Sequence, residues 1–232
     1  MLTLAMVYRS GGEFTEAYVA NLAAELQCHV SLPCRIVCLT DKPHDIAPIE
    51  DVDDAIPLHH SWPGWWSKME LFQLPGPVLY FDLDTVIVGN IDGLVHAVES
   101  LPANTLMMLR GFYQNDECSG IMGWSGDQTV IWNDFLDRFK AHGAFRKQPY
   151  GWHLVCASGS WRGDQDYLRT CCKAHAIPVV LAQDLALGIY SFKVHVKPAG
   201  GLPAAARVVC FHGQPRPHEI RASWLPDFRS NV

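Results

Sequence analysis

Apolar residues fall into two rhythms along this chain. Leu2 to Val7 is short and almost wholly apolar, which predicts a strand, and a loop with Ser10, Gly11 and Gly12 follows it. From Phe14 to Leu26 the spacing changes. Tyr18, Val19, Leu22, Ala23 and Leu26 recur at three- and four-residue steps, which predicts a helix. Arg35 to Leu39 predicts a second strand ending at Thr40-Asp41-Lys42-Pro43, and the acidic, proline-broken residues 44–60 a loop with one short strand. Trp65 to Leu74 predicts a helix stopped by Pro75-Gly76, with a strand at Val78 to Phe81 directly after it.

In the second half, Thr105 to Leu109, Gly120 to Trp124, Pro178 to Ala182 and Val208 to Phe211 are strand candidates. Ser125-Gly-Asp-Gln128 matches a capping box ahead of a helix from Thr129 to His142, which Gly143 closes. Asp164 to His175 predicts another helix. Residues 143–162, rich in Gly, Trp and Ser, predict a loop region facing substrate. Strands alternating with helices give an α/β class with a largely parallel sheet. With 232 residues and no repeat, low-complexity tract or linker, one domain over 1–232 is expected.

Composition narrows the functional classes. A formal charge of -6 argues against a general nucleic-acid surface, which needs clustered Lys and Arg. No stretch is apolar for long enough to span a bilayer, and the N-terminal run lacks a basic leader, so it reads as a first strand rather than a signal peptide. None of the eight cysteines forms a Cys-x-x-Cys pair, which argues against a structural zinc. Cys38 and Cys210 lie in apolar runs, so reduced thiols in a cytoplasmic setting are expected.

The chemistry-bearing residues form four groups. The apolar run Val78 to Phe81 leads straight into Asp82 and Asp84, two positions apart. If the strand continues, both carboxylates face one side, at a sheet edge of the kind where open α/β folds bind ligands. Two like charges held that close raise each other's pKa unless a cation lies between them, and a hard divalent metal suits the role. The second group follows the late strand: Phe211-His212-Gly213-Gln214-Pro215-Arg216-Pro217. There an imidazole can complete an oxygen-rich site, Gly213 permits close approach, and Arg216 offers a forked donor to phosphate. The third is Gly163-Asp164-Gln165-Asp166 at a helix start, where Asp164 also serves as an ordinary cap. The fourth is Lys68, within the aromatic segment Trp65-Trp66-Ser67-Lys68, placed to face the same crevice and balance phosphate charge. Trp152, Trp161 and the segment around Tyr150 are candidates for stacking on an acceptor sugar, or for core packing.

Taken in order, the lysine helix, Asp82-x-Asp84, Ser119-Gly120-Ile121-Met122, Gly163-Asp164-Gln165-Asp166, His212-Gly213 and Arg216-Pro217 resemble glycosyltransferases of the GT-A fold, in particular family 8 and its bacterial and viral relatives. The resemblance implies a Rossmann-like nucleotide-diphospho-sugar transferase fold. It also implies a donor that is a nucleotide sugar, with UDP as nucleotide, an unspecified acceptor, and transfer with retention of configuration. It assigns Mn²⁺ (or Mg²⁺) to Asp82, Asp84 and His212, and diphosphate contacts to Lys68, Gly213 and Arg216 (where the family has Lys). Base and ribose contacts fall to Tyr8, Arg9 and Asp41, and the surroundings of the reacting sugar to Asp164, Gln165 and Asp166. The family's Asn ahead of Ser/Ala-Gly is Cys118 here, which removes a side-chain amide from the donor sugar. Two other readings stay open: a haloacid-dehalogenase-like phosphatase with Asp82 as nucleophile, and a non-catalytic nucleotide-sugar-binding module.

Overall fold

A computed structural model describes residues 1–140 and 143–228. In chain order the first half holds β1 (Leu2–Tyr8), α1 (Glu16–His29), β2 (Cys34–Thr40), a short α2 (Pro43–Ile46), β3 (Asp54–Pro57), a 3-10 helix (Gly64–Gln73), β4 (Val78–Phe81), β5 (Thr85–Ile87) and α3 (Asp92–Glu99). The second half holds β6 (Leu106–Arg110), β7 (Glu117–Trp124), α4 (Thr129–Lys140), β8 (Ala144–Gln148), β9 (Gly151–Cys156), β10 (Gly159–Trp161), α5 (Asp164–Ala174), β11 (Val179–Leu181), α6 (Ala182–Leu185), β12 (Ile189–Ser191) and β13 (Val208–Cys210).

The central sheet has seven strands in the order β11-β6-β7-β4-β1-β2-β3. Its pairings are parallel except where β7 meets β4 and β6, so one reversed strand is set into an otherwise parallel sheet. This is the α/β architecture expected from the alternation of strands and helices. Its strands are two-sided. Leu2, Leu4 and Met6 of β1 and Leu79 and Phe81 of β4 pack on the face covered by α1 and α3. Ala5, Val78 and Tyr80 pack on the other face with the 3-10 helix, α4 and α5. The period-two alternation of strand side chains produces this split, and it explains why the strands look continuously apolar in sequence.

Several local expectations change. The segment after β4 does not extend as a strand: Thr85 N–H donates to the Asp82 carbonyl at 2.9 Å, so Asp82-Leu83-Asp84 makes a turn. The predicted helix at Trp65 is a 3-10 helix. The region 143–162, expected as loop, is a three-stranded antiparallel sheet in the order β10-β9-β8, with Leu154 and Trp161 turned into the core. The capping box does not form. Gln128 instead buries its amide against the carbonyls of Ala103 and Thr105, Ser125 Oγ donates to the Leu101 carbonyl, and Asp127 Oδ1 accepts from Thr129 N–H at 2.8 Å. The predicted end of that helix at His142 lies outside the described residues. A second small sheet, β12-β13-β5, went unpredicted in part because β5 is only three residues long. Its antiparallel β5–β13 pair carries the late His-Gly segment back to the Asp82–Asp84 turn, where Phe211 N–H donates to the Asp84 carbonyl at 3.2 Å.

Candidate active site

The carboxylates after β4 sit at the C-terminal edge of the parallel strands, and each has already taken a cation. Lys68 Nζ lies 2.8 Å from Asp82 Oδ1 and 3.2 Å from Asp164 Oδ2, and donates to Ser119 Oγ at 3.3 Å. Lys68 is almost wholly buried. Burial opposes its charge, but Asp164 and Asp82 more than offset that, and the ammonium is held above its ordinary pKa. Tyr80, two residues before Asp82 and on the same sheet face, donates its hydroxyl to Asp82 Oδ1 at 2.6 Å. Gly120 packs against the turn, and its carbonyl accepts from Asp82 N–H at 2.9 Å. A Cβ there would stand 3.5 Å from Asp82 Oδ2 and 3.3 Å from Leu109.

Asp84 is paired with Arg216, which also reaches Glu13 and lies over the Phe14 ring. Burial and the neighbouring Asp82 charge push the Asp84 carboxyl up to about 7, although Arg216 and Lys68 pull the other way. Asp164 Oδ2 is held by its ion pair with Lys68, and Arg216 Nε is buried without a hydrogen-bond partner among the described residues.

His212 follows β13 by two positions. Its Nε2 is 2.6 Å from Ser191 Oγ, and its ring stacks on Phe112 and meets Tyr113 edge-on. Burial and the charge of Lys193 push the imidazole below its ordinary pKa, which favours the neutral ring. The pairing of β5 with β13 therefore brings the His212 segment to the acid turn, but the side chains of Asp82, Asp84 and His212 do not meet at one point. Among the described residues, three ligand-type side chains come within 4.8 Å of one another at Asp134, Cys171 and His175, not here. Asp82 is paired here with Lys68, and Asp84 with Arg216. The donor set itself still suits a hard divalent cation. It offers two carboxylates and an imidazole pushed toward its neutral form, and burial with the neighbouring Asp82 charge raises one of the carboxyls to about 7.

The remaining candidates fall at the same end of the sheet. Tyr8 and Thr40 are register partners on β1 and β2, and beyond them Arg9 lies 3.5 Å from Asp41. Burial disfavours the Asp41 charge, but the Ser10 N–H and hydroxyl, together with Arg9, hold its carboxyl below the usual range. Tyr8 donates to Glu16 Oε1 at 2.8 Å. At the start of α5, Asp166 pairs with Arg169, which also grips Asp116 from the β6–β7 turn. Gln165 is half-buried. Gly213 has φ +68, and a Cβ there would come 3.4 Å from Lys193 Nζ. Cys118 Sγ lies 3.9 Å from Asp116 Oδ1, and burial raises its thiol to about 11. Of the earlier stacking candidates, Trp161 is buried, and Trp152 is partly buried with its carbonyl accepting from Trp66 Nε1.

Sequence reasoning missed Tyr80, Glu13, Ser191 and Lys193. Tyr80 carried a signal, since strand periodicity already placed it on the Asp82 side. Glu13 and Arg216 are far apart in sequence and meet only through the fold.

No family model and no curated protein matches the chain. Solved structures do. Two structures of the glycosyltransferase GlyE from Streptococcus pneumoniae TIGR4 superpose with TM-scores of 0.60 and 0.59 at 14% identity, over 93% and 94% of this chain and 55% and 56% of theirs. The bifunctional glycosyltransferase WbbM superposes with a TM-score of 0.54 at 11% identity, over 93% of this chain and 46% of its own. The chain shares its fold with these glycosyltransferases. It spans about half the length of each. Among the described residues, no helix is long and apolar enough to cross a membrane.

Proposed function

We propose that this chain is a metal-assisted glycosyltransferase that takes a sugar from a nucleotide-diphosphate donor, with UDP as the nucleotide, and passes it to an acceptor hydroxyl with retention of configuration. The observation that carries this reading is the partly buried cluster of Asp82, Asp84 and Asp164 with Lys68 and Arg216, at the C-terminal edge of a sheet whose fold occurs in glycosyltransferases. Asp82, Asp84 and His212 are the residues to hold Mn²⁺ (or Mg²⁺), which when bound supplies Lewis-acid charge to the diphosphate oxygens.

The chain's own residues do the rest. In the reaction, the bond from the anomeric carbon to the diphosphate oxygen breaks and the diphosphate leaves with the electron pair. The acceptor oxygen bonds to that carbon, and its proton passes to the departing phosphate. Negative charge therefore grows beside Lys68 and Arg216, whose charges their carboxylate partners hold in place against burial. Arg216 can turn its fork from Asp84 to a phosphate, and Gly213 keeps the backbone beside Lys193 clear. Arg9 and Asp41, held by Ser10, offer a polar edge for the base and ribose, with Tyr8 beneath them. Asp164, Gln165 and Asp166, on the first turn of α5, flank the position of the reacting sugar.

A screen of nucleotide sugars with Mn²⁺, scored for nucleotide release into water, tests the proposal. Release from one donor, lost on chelation, is the expected outcome. Metal-dependent nucleotide binding without any turnover would make the chain a binding module, and a phosphoaspartyl intermediate at Asp82 would make it a phosphatase.

A further inference from the structure

Trp65 is the most exposed tryptophan among the described residues, at 36%, yet it is firmly seated. Its indole rests against Gly151 and Gly163. A Cβ built on Gly151 (φ +127) would fall 2.0 Å from the ring, and one on Gly163 3.3 Å from Nε1. Two backbone segments, the first residue of β9 and the N-cap of α5, thus leave out their side chains where this ring lies. In a 3-10 helix, residues three apart eclipse, so Trp65 projects on the same side as Lys68, whose ammonium binds Asp82 and Asp164. Gly163 in turn directly precedes Asp164. The indole therefore borders the carboxylate cluster at the start of α5.

Beside it lie the carboxylate of Asp164, whose Oδ2 is ion-paired 3.2 Å from Lys68 Nζ, and Gln165, which makes no side-chain hydrogen bond among the described residues. A seated, half-open aromatic ring next to a carboxylate–ammonium pair and an unused side-chain amide has the chemistry of a pyranose site. The apolar C–H face of a sugar covers the ring while its hydroxyls meet the polar rim.

We propose that Trp65 is the stacking platform for the acceptor and that the acceptor is a saccharide rather than a peptide hydroxyl or a lipid alcohol. The proposal rests on the sugar-transfer reading above and names the acceptor class for that site.

The test compares the parent with Trp65→Ala and Trp65→Phe. Turnover of the active nucleotide sugar is measured in water alone, with a panel of methyl glycosides and disaccharides, and with serine peptides and long-chain alcohols. Direct saccharide binding is followed by saturation-transfer NMR. The expected result is that saccharides accelerate the parent, that Trp65→Ala raises the saccharide KM by about tenfold or more, and that Trp65→Phe recovers most of it. Transfer to water stays within about twofold throughout, a separation that a merely structural tryptophan would not give. An unchanged saccharide KM in Trp65→Ala, or a parent accelerated by peptides or alcohols but not by sugars, overturns the proposal. Saccharide binding that vanishes in Trp65→Ala, in a protein that turns over no nucleotide sugar, would leave the sugar platform standing and remove the transfer reading.

Discussion

Two aspartates of the molecule, Asp134 and Asp84, have opposite surroundings. Asp134, on α4, is fully answered: Arg138 reaches both carboxylate oxygens, Tyr167 donates at 2.6 Å, and His175 Nε2 lies 2.9 Å away. Burial works against the Asp134 charge, but these donors hold its carboxyl down to about 2. Asp84 is more deeply buried and has Arg216 as its charged partner, with Asp82 close by, and its carboxyl rises to about 7. One carboxylate ties α4 to α5. The other is held above its ordinary range by burial and by Asp82 despite its Arg216 partner, a state that costs stability unless a ligand relieves it. Ligand-type clustering alone misleads here: Asp134, Cys171 and His175 lie closest together, yet Asp134 is already saturated and burial raises the Cys171 thiol to about 12.

The contrast breaks most sharply at Asp84. Asp84→Asn is expected to weaken Mn²⁺-dependent UDP binding by about 100-fold or more, beyond what loss of an outer partner of a metal ligand costs. Its melting temperature at pH 8 should be no lower than the parent's, since Arg216 keeps Glu13. Calorimetric titration and thermal melts read both outcomes, and unchanged UDP affinity would remove Asp84 from the site. Asp134→Ala should do the reverse. It is expected to cost about 2–4 kcal/mol in urea unfolding by stranding Arg138, Tyr167 and His175, with UDP binding intact.

A third carboxylate sharpens the comparison. Glu25 accepts one backbone bond, from Ile87, at 2.7 Å, and burial raises it from 4.5 to about 8 despite that bond. The folded state therefore keeps a proton that the unfolded chain releases, and stability falls as pH rises from 4.5 toward 8. Glu25→Gln should flatten that fall by about 2–4 kcal/mol across the window, measured by urea unfolding at several pH values. The smallest effect is expected at Arg216. Arg216→Ala should slow turnover by roughly 1.5–3 kcal/mol of transition-state stabilisation, with a smaller loss of stability. Equal activity would place this guanidinium outside the reaction.

The parts of the fold set by periodicity were readable beforehand. β1, β2, β4 and α5 lie within a residue or two of their predicted ranges because their apolar spacing admits one secondary structure. The small sheet of β8, β9 and β10 was hidden because its strands bury only one weakly apolar face, with Leu154 and Trp161 set among Gly, Ser and charged residues. At the site, the sequence gives the residue types and their chain order, but not their partners. Lys68 was expected to await phosphate and instead neutralises Asp82 and Asp164, and Glu13 entered only through contact with Arg216. Such pairings depend on tertiary distance, which no local spacing encodes.

The pairing of β6 with β7 slips after Met108: Met108 faces Met122, but Leu109 faces Cys118. The extra residues Ser119, Gly120 and Ile121 form a bulge that turns Ser119 toward Lys68 and sets Gly120 against Asp82. Insertions and deletions should therefore be tolerated very unevenly over a few positions. The exposed turn around Tyr113 can gain or lose length, whereas one residue added between Cys118 and Ile121 would break the register and turn the Ser119 hydroxyl away from Lys68. Homologues should thus vary in length on one side of Glu117 and keep a constant count on the other.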